Sequence, residues 1–417
     1  MASNRLNQFA SHLSGNSSSA SRIGVKNPED VVIVDAVRTP ICKAGKGQLK
    51  DTHHEYLLSL VLKAVCERAG LDKALVEDIV VGNVLPPSSG AGLARMAMLH
   101  AGFSESSSCM TVNRQCSSGL QAVAQIASAI RDGSIEIGIG AGVEAMSKFY
   151  ASGGMKIEEY DQEILKQQNV ADCLIPMGIT SENVASDFSV SREKQDRFAA
   201  SSHAKAANAQ KNGLFNQEII PVPTKFIGAD GKVTQIVVTA DDGVRPTTSF
   251  EGLSKLKPAF KQGGTTTAGN SSQVSDGAAA VLLMKRSRAI ELGLPILGKF
   301  ITSAAVGVPP RIMGVGPAYA IPAAIKKAGI TLNDVDIFEI NEAFASQAVY
   351  SVEKLGIDIN KVNPKGGAIA FGHPLGCTGA RQVSTLLFEL RRTGKKVGLT
   401  SMCIGSGMGM CGIFEAE

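Results

Sequence analysis

What this chain lacks excludes several classes of function. None of its eight cysteines (Cys42, Cys66, Cys109, Cys116, Cys173, Cys377, Cys403 and Cys411) forms a C-x-x-C pair, so the spacing of a zinc site is missing and no metal is expected. No signal-peptide pattern accompanies them, which argues against a secretory disulfide framework. All eight read as reduced thiols. No apolar run approaches the roughly 18 residues that span a bilayer. There is no dense Lys/Arg block with interleaved aromatics, and a net charge of +4 is small for 417 residues, which disfavours nucleic acid as a partner. The string Gly138-Ile139-Gly140-Ala141-Gly142 lacks the G-x-G-x-x-G spacing of a dinucleotide loop and falls within or at the end of a strand. What is present is ordinary globular composition, 44% hydrophobic and 19% charged, in a chain longer than one typical domain. The slight positive excess suits an anionic substrate.

The most informative stretch is Val112-Asn113-Arg114-Gln115-Cys116-Ser117-Ser118-Gly119-Leu120. Met110 to Val112 reads as a strand end, and Leu120, Val123, Ile126, Ala127 and Ile130 recur at helical spacing. The thiol therefore lies at a strand-to-helix junction, where the positive end of the helix dipole favours thiolate and suits covalent catalysis. The alternative is a buried structural cysteine. Asn363 to Arg381 is rich in glycine, contains Pro364 and Pro374, and reads as irregular backbone before a helix from Ala380 to Leu390. It presents one histidine, His373, the usual base for a cysteine nucleophile. Val397 to Gly409 reads as a buried strand ending in a glycine turn, whose N–H groups can approach a ligand closely.

Four motifs in this order resemble the thiolase family: NRQCSSG around Cys116, NEAF at Asn341 to Phe344, GGAIAFGHPLGCTGAR around His373, and CIGSGMG from Cys403. The resemblance runs from about residue 30 to the end and points to the fungal peroxisomal 3-ketoacyl-CoA thiolases. It implies an α/β thiolase fold, with two related halves in a five-layered α-β-α-β-α arrangement and an inserted loop domain. The residues themselves show alternating strands and helices. Val31 to Ala36, Ile79 to Val84, Ile135 to Val143, Ile337 to Asn341 and Val397 to Ile404 read as strands. His54 to Gly70 and Glu342 to Leu355 read as helices. Each half carries a Val-Asn before a glycine-rich turn, Val112-Asn113 and Val362-Asn363. The expected division is a segment 1–30, a first half 31–148 rejoined by 275–297, a loop domain 149–274 over the active site, and a second half 298–417.

The same resemblance implies the chemistry. Cys116 attacks the C3 carbonyl of a 3-ketoacyl-CoA, and His373 takes its proton and pairs with the thiolate. The N–H groups of Cys116 and Gly405 form one oxyanion hole, and His373 with a water on Asn341 forms a second. Cys403 protonates the departing enolate and then deprotonates CoA, a co-substrate, giving ping-pong kinetics; no tightly bound cofactor is implied. Arg245, Ser272, Phe260, Phe344 and Met177 match CoA and acyl contacts. Pro176 stands where biosynthetic acetoacetyl-CoA thiolases carry histidine, which favours degradation of longer chains. Two other readings stay open: a biosynthetic enzyme on the same fold, or a non-enzymatic acyl-CoA carrier. Asn341 could equally be a helix cap, and Cys403 a core residue. A homodimer is also implied.

Arg5, Leu6, Phe9, His12 and Leu13 fall within an arc of roughly 120° on a helix. The pattern Arg-Leu, five residues, His-Leu resembles the N-terminal type-2 peroxisomal targeting signal, read by a soluble import receptor. A mitochondrial presequence is the alternative, since no acidic residue precedes Glu29.

Overall fold

The computed structural model describes residues 23–150 and 159–417; the targeting positions Arg5, Leu6, His12 and Leu13 lie outside the described residues. The strands are β1 (Val31–Arg38), β2 (Cys42–Lys43), β3 (Asp78–Gly82), β4 (Ser108–Val112), β5 (Ile137–Ala145), the hairpin β6 (Val222–Ile227) and β7 (Val233–Val238), β8 (Ser275–Lys285), β9 (Gly298–Gly307), β10 (Ile337–Ile340), β11 (Val397–Ile404) and β12 (Met408–Ala416). The longer helices are α1 (His54–Ala69), α2 (Ala91–His100), α3 (Ser118–Asp132), α4 (Met177–Asp187), α5 (Arg192–Lys211), α6 (Gly316–Ala328), α7 (Ala345–Leu355) and α8 (Leu375–Thr393).

The strand order β4-β3-β5-β8-β1 continues into β9-β12-β11-β10, but β1 and β9 meet at only two residue pairs. That narrow join separates two halves of matching topology. In the first, β3 is parallel to β4 and β5, while β5–β8 and β8–β1 are antiparallel. In the second, β10 is parallel to a bridge at Val362 and to β11, while β11–β12 and β12–β9 are antiparallel. Val362 thus takes the edge place that β4 holds in the first half.

Side-chain alternation sorts the core into layers. Val32 and Val34 of β1 face a cluster with α1 and α2, whereas Val31 and Ile33 face a cluster built on α3 and α8. The α3/α8 cluster also takes Met402, Ile404, Met410 and Phe414 from the second half. Leu399, Cys411 and Ile413 point the other way, against α6. Five layers result: α1 and α2, the first sheet half, α3 with α8, the second sheet half, and α6. The central helices are covered on both sides, which is why so many of their residues are buried.

The sequence expectations need two corrections here. The helix placed at Glu342–Leu355 begins at Ala345, with Phe344 as its N-cap residue, so Asn341 to Phe344 is a loop and Asn341 does not cap a helix. The glycine-rich stretch placed in irregular backbone contains the start of α8 at Leu375. Gly376 and Gly379 are helical because they are contact surfaces. A Cβ on Gly376 would lie 2.6 Å from the Asn83 Cα, and one on Gly379 would overlap the Leu120 backbone.

Candidate active site

Two helix N-termini meet at the middle layer. Gly119, in the first turn of α3, packs against the first turn of α8, where a Cβ on it would stand 2.7 Å from the Gly376 carbonyl oxygen. Cys116 lies two residues before Ser118, the first residue of α3, and His373 two residues before Leu375, the first of α8. The halves thus bring their equivalent strand-to-helix turns side by side, one carrying a thiol and the other an imidazole. Gln115 has φ +49°, a left-handed backbone that costs a non-glycine residue about 1 kcal/mol or more and turns the chain sharply before the thiol.

Cys116 is buried, at 9% exposure, rather than open to solvent. Burial pushes its thiol up to about 11, while the N–H groups of Gly405 and of Cys116 itself pull it down. Desolvation outweighs the two donors, which leaves the resting group a thiol. The same two N–H groups are the ones expected to form an oxyanion hole, and both act on the sulfur. Cys403, at the end of β11, is fully buried; burial raises its thiol strongly, and the neighbouring Cys116 raises it further. Met177, Met313, Ala343 and Phe344 pack around Cys403 as one apolar cluster.

His373 is buried and held at both ring nitrogens. Nδ1 lies 2.6 Å from Thr378 Oγ1, and Nε2 lies 3.2 Å from Asn341 Nδ2. Its backbone N–H donates to the Gln273 carbonyl. Burial, and then the positive charge of Arg381, push its pKa down to about 3, so the resting ring is neutral. Asn341 is fixed in turn: its N–H donates to Ser401 O, and its carbonyl accepts from Gln347 Nε2 at 2.6 Å. Its Oδ1 is buried without a protein partner among the described residues, in keeping with a water site there.

The loop before His373 is strapped from several sides. The buried Glu342 carboxylate accepts from Ser202 Oγ, Asn363 Nδ2 and Ile369 N–H. Gln273 Nε2 donates to the carbonyls of Gly243 and Ala370. The Phe371 ring has the guanidinium groups of Arg38 and Arg381 at 5.9 and 5.1 Å from its centroid, two cation–π contacts inside the protein. Glu339 pairs with Arg381, and Glu218 and Asp241 pair with Arg38.

Among the expected substrate contacts, Met177 and Phe344 border Cys403. Phe260 meets Phe344 edge to face at 6.1 Å, and the Ser272 N–H donates to Ala343 O at 3.0 Å. Arg245 is apart and exposed; its backbone N–H bonds His203 Nδ1 at 3.3 Å. Sequence reasoning missed Thr378, Gln347, Gln273, Glu342 and Met313. Thr378 and Glu342 lie inside motifs already singled out, and position within those motifs was the available signal. Gln273, Gln347 and Met313 carry no local signature. Among the described residues no group of three or more His, Cys, Asp or Glu is gathered to hold a metal, and no helix is long and apolar enough to cross a membrane.

Residues 31–287 match the family description "Thiolase, N-terminal domain", and residues 294–416 match "Thiolase, C-terminal domain". The chain is 57% identical over 421 residues to the peroxisomal 3-ketoacyl-CoA thiolase B of Rattus norvegicus, covering 99% of each chain. It is 53% identical over 414 residues to the peroxisomal 3-ketoacyl-CoA thiolase of Yarrowia lipolytica, covering 99% of this chain and 100% of that one. The crystal structure of the dimeric peroxisomal thiolase of Saccharomyces cerevisiae superposes with a TM-score of 0.87 at 51% identity, covering 94% of this chain and 99% of that chain.

Proposed function

The chain belongs to the thiolase family, and from that premise we propose that it is a degradative 3-ketoacyl-CoA thiolase of the peroxisomal matrix. It cleaves a 3-ketoacyl-CoA with CoA to acetyl-CoA and a shortened acyl-CoA. The observation that carries this reading is the packing of the α3 and α8 N-termini, preceded by Cys116 and His373, beside the strand end that holds Cys403.

The neutral resting pair sets the order of proton movements. Cys116 gives its proton to His373 as the sulfur bonds C3. The N–H groups of Cys116 and Gly405, already aimed at this point, stabilise the alkoxide. Collapse of the alkoxide breaks C2–C3 and sends the electron pair into the thioester enolate. His373, now cationic, and the Asn341 site hold the enolate oxygen, and Cys403 delivers its proton to C2. Acetyl-CoA leaves. The Cys403 thiolate then takes the proton of CoA, whose sulfur attacks the acyl-Cys116, and His373 returns a proton to the departing Cys116 thiolate. Met177, Phe344 and Phe260 offer the apolar surface for the acyl and pantetheine parts, Ser272 borders them, and Arg245 meets the nucleotide end of CoA.

The test is thiolysis across 3-ketoacyl-CoA substrates from C4 to C16, with wild type and Cys403→Ala. Activity reaching C8 and beyond, lost in the variant, supports the reading; activity confined to C4 moves the chain to the acetoacetyl-CoA branch. We also propose a homodimer, which a monomer mass by gel filtration would refute. The import receptor reads Arg5, Leu6, His12 and Leu13; loss of peroxisomal delivery in Leu6→Arg is the matching test.

A further inference from the structure

We propose that Thr378 is a positioning residue that holds His373 as its Nδ1–H tautomer, so that Nε2 alone serves the reaction, both as proton acceptor and then as oxyanion donor. The inference rests on the function proposed above and adds a residue to it. A threonine hydroxyl has one proton and two lone pairs. The Thr378 hydroxyl donates to the Pro374 carbonyl oxygen at 3.0 Å, an oxygen that also accepts from the Cys377 and Thr378 N–H groups. The lone pairs then face His373 Nδ1 at 2.6 Å, and Nδ1 must donate.

The other side of the ring agrees. Asn341 Nδ2 lies 3.2 Å from Nε2, and an amide NH₂ can only donate, so Nε2 accepts. The reverse amide orientation would set a carbonyl oxygen against Nε2. It would need Nε2 protonated and Nδ1 bare, and would pull the Thr378 proton away from Pro374. The assignment with Nδ1 protonated keeps both the Thr378–Pro374 bond and the Asn341 amide orientation as they stand. Both anchors are rigid. Pro374 and Thr378 form the first turn of α8, and Asn341 is tied by Ser401 and Gln347.

The chemical consequence concerns a single nitrogen. The Cys116 proton passes to Nε2 while Nδ1 keeps its own. The imidazolium Nε2–H then points where the substrate lies and donates to the enolate oxygen. The same proton returns to Cys116 sulfur when CoA takes the acyl group. With the opposite tautomer, Nε2 would already be protonated and could not receive the thiol proton. Thr378 touches no reacting atom; it acts through the ring.

The test uses the full chain labelled with ¹⁵N in its histidine rings, with Thr378→Val and Thr378→Ser, and assigns His373 by its loss in His373→Gln. In wild type near neutral pH, the His373 resonances should show a protonated Nδ1 and a bare Nε2. Thr378→Val keeps the shape and removes the hydroxyl; it should shift the ring toward Nε2–H and lower kcat by roughly 10- to 100-fold with little change in KM. Thr378→Ser should return both the spectrum and kcat to near wild type. A wild-type ring protonated at Nε2 overturns the proposal. So does a Thr378→Val enzyme with wild-type kcat, or one with lowered kcat and an unchanged tautomer. If Thr378→Val does not fold, the wild-type spectrum and the serine variant still decide. Failure of the thiolase reading itself is distinguishable, because wild type would then lack thiolysis while its tautomer could still be read.

Discussion

The two strand-to-helix turns at the centre share a topology and differ in how they are held. In the first half, five residues carry the chain from the end of β4 at Val112 to the start of α3 at Ser118. The turn is closed mostly by its own atoms: Asn113 Oδ1 accepts from Gln115 N–H, and Ser118 Oγ accepts from Arg114 N–H, with one outside tie from Asn113 Nδ2 to the Val84 carbonyl. In the second half, the path from Val362 to α8 at Leu375 is longer and tied to distant elements by Glu342, Gln273 and the contacts of Phe371 with Arg38 and Arg381. A nucleophile needs only a short, sharp turn at a helix N-terminus. A base that must keep one tautomer needs its loop fixed from outside. One structural unit, used twice, has been specialised by its straps and not by its fold.

The largest effect expected from breaking this pairing is on turnover. Cys116→Ala should lower thiolysis at least 10³-fold while leaving CoA-ester binding in place; retained turnover would remove Cys116 from the chemistry. Next comes the seam. Gly379→Ala drives a methyl into the Leu120 backbone and should cost about 3 kcal/mol by chemical denaturation. Gly92→Ala in α2, where a Cβ meets open space, should be neutral or stabilise by about 0.5 kcal/mol; equal losses would mean that the α3–α8 contact is not tight.

A smaller effect compares the two buried histidines. His373 has hydrogen-bond partners at both ring nitrogens, whereas His54 has none among the described residues, and burial pushes His54 down to about 4. Unfolding lets His54 bind a proton below about 6.5, so stability is lost as pH falls from there toward 4 and is unaffected above. His54→Leu should therefore gain about 2 kcal/mol over wild type at pH 5 relative to pH 8. The same difference at both pH values would sink the assignment. The mildest test concerns the resting thiol. Alkylation of Cys116 by iodoacetamide, followed by peptide mass, should speed up about tenfold per pH unit from 7 to 10; a rate flat across that range would mean a resting thiolate instead.

The motifs singled out Cys116, His373 and Cys403, whose turns and strand end the structure brings together, and hydrophobic periodicity made β1, α1 and β11 legible nearly to the residue. The rest was hidden for physical reasons. Gly376 and Gly379 look like breakers until the backbone of α3 is placed against them. Asn341 looks like a cap because its true partner, His373, lies 32 residues on. The dipole argument for a Cys116 thiolate leaves out the burial that pushes the thiol up, because local sequence reports the helix but not the burial. Gln273 and Gln347 act through single amide bonds that no pattern announces.

The seam between α3 and α8 also carries a kinetic consequence. Cys116 comes from one half and His373 and Cys403 from the other, so on the function proposed above no half alone holds a working site. During refolding, helical content can return as soon as either half condenses, but turnover can return only when the two halves dock. Recovery of activity should lag the recovery of far-UV circular dichroism, with the interval reporting how long the halves take to find each other.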